Sequence, residues 1–215
     1  MKTILAYGDS LTYGASPIPN GPRHPYEDRW PAALEAGLGG KVRVVAEGLG
    51  GRTTAFDDWL AAADRNGARI LPTLLESHSP LDMVIVMLGT NDLKPYLGRG
   101  AAEAGRGMGR IVQVIRGFHA ARREKEPTIV LVSPPHIRRT DNAEMMNHFG
   151  GEGVIAESAN FASEYKKRAD EHGVHFFDAG TVAVADPADG VHLDAKNTRA
   201  IGEGLVPVVK SILAL

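Results

Sequence analysis

The sequence predicts an α/β fold in which a parallel sheet carries helices on both faces. Short apolar runs recur at residues 3–7, 42–46, 83–88, 129–132 and 174–177, with longer helix-compatible stretches between them. Strands that alternate with helices read as βαβ units, whose crossovers cover both faces of a parallel sheet. A second observation sets the size of the unit: no internal repeat, low-complexity tract or linker interrupts the chain. Residues 1–215 are therefore expected to form a single domain. A chain of this length buries most of its apolar surface without staples.

The first run, Ile4 to Tyr7, stops at Gly8-Asp9-Ser10-Leu11. An apolar run ended by a breaker reads as a buried strand, which puts Ser10 just beyond a strand's carboxyl end. Ligands of open α/β sheets bind there. Serine is equally a favoured helix cap, and this stretch alone fits either role. Residues 15–29 hold Ser16-Pro17-Ile18-Pro19-Asn20-Gly21-Pro22 and are expected as a loop close to Ser10. From Trp30 to Leu38 the apolar Trp30, Ala33, Leu34 and Leu38 share a helix face, and Gly39-Gly40 ends the helix. Trp30 is read as a core anchor.

After the second strand comes Glu47-Gly48-Leu49-Gly50-Gly51-Arg52-Thr53-Thr54. It is not a dinucleotide fingerprint, because Thr53 stands where the third glycine belongs, and the chain has no Walker loop. It is either a turn or a backbone N–H offered to an anion. Residues 56–67, acidic at Asp57, Asp58 and Asp64, read as a surface segment, and residues 70–78 as an amphipathic helix closed by Ser79-Pro80. The third strand ends in Gly89-Thr90-Asn91-Asp92, where Asn91 either shapes a turn or offers a neutral donor.

Gly105, Gly107 and Gly109 fall in the next expected helix. Each costs about 1 kcal/mol relative to Ala, so its first half is weakly specified, unless the glycines serve close packing on the sheet or another subunit. Ser133-Pro134-Pro135 ends the fourth strand and offers a competing nucleophile. The prolines deny it a helix N-terminus, so Ser133 is read as structural and the prolines as a pocket wall. Residues 136–153 carry Met145, Met146, His148 and Phe149 in a long connection, expected as a lid, a binding loop or a subunit contact. A helix to His172, a last strand into Asp178, the stretch Asp189-Gly190-Val191-His192, and a closing helix to Leu215 complete the chain.

The bulk numbers exclude several classes. A net charge of −2 attracts neither nucleic acid nor an anionic membrane. With no Cys, disulfides, zinc–thiolate sites and thiol nucleophiles are ruled out. No segment is long enough for a signal-peptide core or a membrane span, so a cytoplasmic enzyme is expected. Nucleophilic ester cleavage needs an activated hydroxyl, a base, an orienting acid and oxyanion donors. Asp189 and His192 are spaced so that one loop can bring the carboxylate to Nδ1 and leave Nε2 for Ser10. Asp178 is the rival acid. The other histidines, His24, His78, His119, His136, His148, His172 and His175, show no metalloprotease pattern.

Gly8-Asp9-Ser10-Leu11, Gly50-Gly51, Gly89-Thr90-Asn91-Asp92 and Asp189-x-x-His192 occur in the order of the four blocks of the SGNH (GDSL) hydrolase family, which the chain resembles over nearly its whole length. Gly48-Leu49-x-x-Arg52-Thr53-Thr54 and Met87-Leu88-Gly89-Thr90-Asn91-Asp92 look especially like the bacterial arylesterase/acyltransferase branch. The resemblance implies Ser10 as nucleophile, His192 as base, Asp189 as its partner, and an oxyanion hole from the Ser10 and Gly51 N–H groups and the Asn91 amide. It implies a structural Asp9 and no cofactor or metal. One departure stands out: Gly50 occupies the place of the usual serine, which leaves the hole less preorganised.

The expected architecture is then a flavodoxin-like three-layer α/β/α domain with strand order 2-1-3-4-5. The expected activity is hydrolysis of small aryl or short-chain acyl esters, with acyl transfer to alcohols or peroxide. Acetylated sugars or thioesters form the alternative substrate class, and a non-catalytic binding protein is the alternative of another kind. Self-association is expected from the 15–29 and 136–153 segments.

Overall fold

The apolar runs form β1 (Lys2–Gly8), β2 (Val42–Gly48), β3 (Met83–Met87), β4 (Thr128–Ser133) and β5 (His175–Asp178) in a computed structural model that describes residues 1–215. They make one parallel sheet in the order β2-β1-β3-β4-β5. The register aligns Gly8 with both Gly48 and Met87, and Met87 with Val132. The loops that follow these strands therefore leave the sheet at one level. That alignment brings residues 9–10, 49–52 and 88–91 to a common edge.

Eight helices surround the sheet: α1 (Ser10–Tyr13), α2 (Trp30–Gly37), α3 (Gly67–His78), α4 (Ala101–Arg122), α5 (Ala143–Phe149), α6 (Glu152–Ser158), α7 (Phe161–His172) and α8 (Ala195–Leu213). Side chains alternate across a strand, and the two cores follow that alternation. Ile4, Ala6, Met83, Ile85, Val130 and Val132 pack on α2 and α8 through Trp30, Leu34, Ile201, Leu205 and Val209. Leu5, Tyr7, Val84, Val86, Ile129 and Leu131 pack on α3, α4 and α7. Burial on both faces is why these strands read as continuous apolar runs. Full burial of each Val, Leu, Ile or Met among them stabilises the fold by about 1.5–3 kcal/mol.

Trp30 is fully buried, and its indole N–H donates to Thr12 Oγ1 at 3.1 Å. This ties α2 to the turn that carries Ser10. Ser133 is also fully buried and donates to Asp178 Oδ1 at 3.0 Å across the β4–β5 pair. Pro134 and Pro135 behind it are buried.

Two sequence expectations change. The 136–153 connection is not an open loop but holds all of α5 and the start of α6. Phe149 and Val154 join the core that covers α4 and α7, so Phe149 is not an exposed contact residue. The glycines at 105, 107 and 109 lie inside an unbroken α4 and face α7 and the Thr54 loop of this same chain. Packing against neighbouring elements offsets their low helix propensity. No helix is long and apolar enough to cross a membrane.

Candidate active site

Asp9 caps α1: its Oδ1 accepts the Leu11 N–H at 2.9 Å. The cap forces a sharp exit from β1 and leaves Ser10 as the first residue of a single helical turn. Ser10 Oγ lies 2.9 Å from His192 Nε2, and His192 Nδ1 lies 2.6 Å from Asp189 Oδ2. With Nδ1–H donating to the carboxylate, Nε2 is left to accept the hydrogen bond of the serine hydroxyl; this tautomer follows from the hydrogen-bond network.

The Asp189 loop is built to hold that carboxylate still. Its Oδ1 accepts the N–H groups of Val191 at 2.9 Å and His192 at 2.8 Å. Gly190 has φ +76°, and a Cβ there would lie 2.3 Å from the Arg138 carbonyl oxygen. Only glycine fits both the backbone conformation and the contact. The Arg138 N–H donates to Gly190 O at 2.8 Å, and Thr140 Oγ1 donates to Ala188 O at 3.1 Å. On the other side His24 Nε2 donates to Leu193 O at 2.8 Å, so the Pro-rich segment straps the loop from the α1 end. Sequence patterns singled out none of Arg138, Thr140 or His24 for this. Asp178 accepts from Ser133 and from the Gly180 N–H at 2.9 Å, and it takes no part in the His192 chain.

Asn91 lies in a 3-10 turn (Thr90–Leu93) after β3 and is 5% exposed. Its Nδ2 donates to Arg52 O at 3.2 Å and reaches Asp9 Oδ2 at 3.4 Å. The Gly51 N–H donates to no protein acceptor, and its φ of +80° suits glycine. Gly50 has neither a positive φ nor any atom within 4 Å of a Cβ built on it, so the backbone does not demand glycine there. Buried Arg52 donates to Gly8 O at 2.8 Å and to Glu47 O, and its guanidinium carbon sits 4.3 Å from the Tyr7 ring centroid. It pins the Gly51 corner to the ends of β1 and β2.

Burial pushes the Asp9 carboxyl up to about 6, against its Leu11 hydrogen bond and the charge of Arg52. Burial pushes Asp92 up to about 7, and the Asp9 charge adds to the rise while Thr54 hydrogen bonds oppose it. Beside this pair, Lys94 Nζ meets Asp58 Oδ2 at 3.1 Å, both side chains nearly buried, and Tyr96 OH donates to the same oxygen at 3.0 Å. Burial opposes ionisation of Asp58, yet those donors and the Lys94 charge hold its carboxyl below the usual range. No group of three or more His, Asp or Glu side chains converges as a metal site would.

A serine, a histidine and an aspartate in hydrogen-bonded line, at the carboxyl edge of a 2-1-3-4-5 parallel sheet, have the geometry that α/β serine hydrolases use. The GDSL-like lipase/acylhydrolase family model matches residues 6–199, and the chain belongs to that family. Solved relatives agree over full length. A carbohydrate acetylesterase family member from Sinorhizobium meliloti is 48% identical, with 100% of each chain covered and a TM-score of 0.92. An arylesterase candidate from Agrobacterium tumefaciens is 51% identical, with 99% of this chain and 100% of that one covered and a TM-score of 0.91. The aryl esterase of M. smegmatis is 36% identical, with 98% and 99% covered and a TM-score of 0.91. No curated protein matches the chain.

Proposed function

We propose that this esterase-family chain cleaves small acyl esters through an acyl-enzyme on Ser10. The carrying observation is the continuous Ser10–His192–Asp189 hydrogen-bonded line. His192 takes the Ser10 proton as Oγ attacks the ester carbonyl, then returns it to the departing alcohol. Water, deprotonated by the same imidazole, releases the acid. Asp189 holds the ring in the required tautomer. The oxyanion is met by the N–H groups of Ser10 and Gly51 and by Asn91 Nδ2.

A binding protein needs none of this, so stoichiometric labelling of Ser10 by a serine-directed phosphonylating reagent is the deciding experiment. Failure to label the native chain overturns the catalytic reading. Two substrate classes are supported by the relatives' names: aryl esters and acetylated carbohydrates. Rates on a chain-length series of aryl esters, set beside acetylated sugars, separate them.

Asn91→Ala is expected to lower kcat by about 10²–10³ with KM little changed, the scale for one oxyanion donor. Steady-state kinetics check this, and an effect on KM alone removes Asn91 from the hole. A further expected outcome is acyl transfer to alcohols in competition with hydrolysis. Bulk water is at about 55 M, so an alcohol wins only where the mouth favours it by proximity and excludes water. With an aryl acetate and a modest alcohol concentration, transfer product is expected beside free acid. Free acid as essentially the sole product leaves a plain hydrolase.

A further inference from the structure

Gly51 and Asn91 sit on different loops, after β2 and β3, yet an oxyanion hole needs their N–H groups at a fixed spacing. One link between the loops is the Asn91 Nδ2 bond to Arg52 O at 3.2 Å. A stronger one lies beneath it. The Thr54 N–H donates to both oxygens of Asp92, at 3.0 and 3.3 Å, and Thr54 Oγ1 donates to Asp92 Oδ1 at 2.5 Å. Both residues are fully buried. Thr54 lies three residues after Gly51, and Asp92 is the residue after Asn91.

Asp92 makes no ion pair, although a buried carboxyl without a cation is costly to keep. Its hydrogen bonds run to the Gly51 loop instead. Helix α4 makes room for this contact. A Cβ on Gly107 would lie 1.9 Å from Thr54 Oγ1 and 2.6 Å from Thr54 Cβ. Any larger residue would drive Thr54 off its seat. A glycine in mid-helix, costing about 1 kcal/mol relative to Ala, thus has a local reason.

We infer that Thr54 and Asp92 are positioning residues that set the spacing of the Gly51 N–H and the Asn91 amide, with Gly107 as the notch that admits Thr54. The inference rests on the proposed Ser10 chemistry. Neither side chain needs to touch substrate; each acts through the loop it holds. Loosening the clamp should weaken binding of the transition state and spare binding of the ground state.

Thr54→Val keeps the shape and removes the hydroxyl donor. It is expected to lower kcat about 10- to 100-fold with KM within about twofold, the cost of a slightly misplaced donor. The affinity of a boronic acid that forms a tetrahedral adduct on Ser10 should fall by the same factor as kcat/KM. Thr54→Ser, which restores the hydroxyl, should return most of the rate. If Thr54→Val does not fold, Gly107→Ala takes its place: it improves helix propensity while displacing Thr54, and the same kcat loss is expected. Wild-type kcat in Thr54→Val, equal loss in Thr54→Val and Thr54→Ser, or a change confined to KM overturns the clamp. If instead Ser10→Ala keeps its activity, the proposed chemistry falls first, and the two failures are distinguishable.

Discussion

Ser10→Ala is expected to remove about 10⁶ of kcat, the scale seen when a triad serine is lost, while the fold stays intact. The structure gives the reason for both halves. The Ser10 side chain makes one hydrogen bond, to His192 Nε2. The turn around it is capped by Asp9, through the Leu11 N–H, and not by Ser10. Alanine therefore removes the hydroxyl without unseating α1, and thermal stability should move by no more than about 0.5 kcal/mol. Turnover of an aryl acetate and a melting curve on the same preparation check both statements. Ser133→Ala serves as the control. Its hydroxyl is buried against Asp178, so that variant is expected to keep its rate. Near-normal turnover in Ser10→Ala with loss in Ser133→Ala would falsify the assignment of the nucleophile.

Asp189→Asn is expected to lower kcat by about 10⁴, with KM and melting temperature little changed. The Asn Oδ1 still accepts the N–H groups of Val191 and His192, so the loop keeps its shape. The position of Oδ2, 2.6 Å from His192 Nδ1, becomes an amide NH₂. An amide donor there favours the opposite tautomer, with Nδ1 accepting and the proton on Nε2. Nε2–H then faces Ser10 Oγ and has no lone pair with which to take its proton. Steady-state kinetics of the Asn variant test this, and a loss below about tenfold would show that the imidazole is oriented by something other than Asp189. Asp178→Asn, at the rival acid, is expected to keep the rate, since its carboxylate serves Ser133 and Gly180.

Much of the site was legible because its chemistry is local in the chain. Asp189 and His192 are three residues apart, and the same carboxylate binds the backbone and the ring within one loop. Ser10, Gly51 and Asn91 were legible as residues that follow strands, since buried strands write continuous apolar runs and breakers end them. The short helices α5 and α6 were not legible. Each is seven residues long, too short to show periodicity and too short to stand without the core that Phe149 and Val154 enter. The strap from His24 to Leu193 was not legible either, because its partners are 169 residues apart and one of them is a backbone oxygen.

By itself, then, the sequence determined the α/β alternation, the strand ends and the His192–Asp189 pair, all of which depend on neighbours along the chain. Tertiary structure alone decided which loops meet. Ser10 and His192 are 182 residues apart and come within 2.9 Å because parallel register levels the strand ends and α8 packs beside α2. Thr54, Asp92 and Gly107 form one contact from three elements, and although each lies in a segment the sequence marks, nothing there shows that the three meet. A carboxyl becomes costly, and a glycine necessary, only when distant parts of the fold exclude water and fill the space around it.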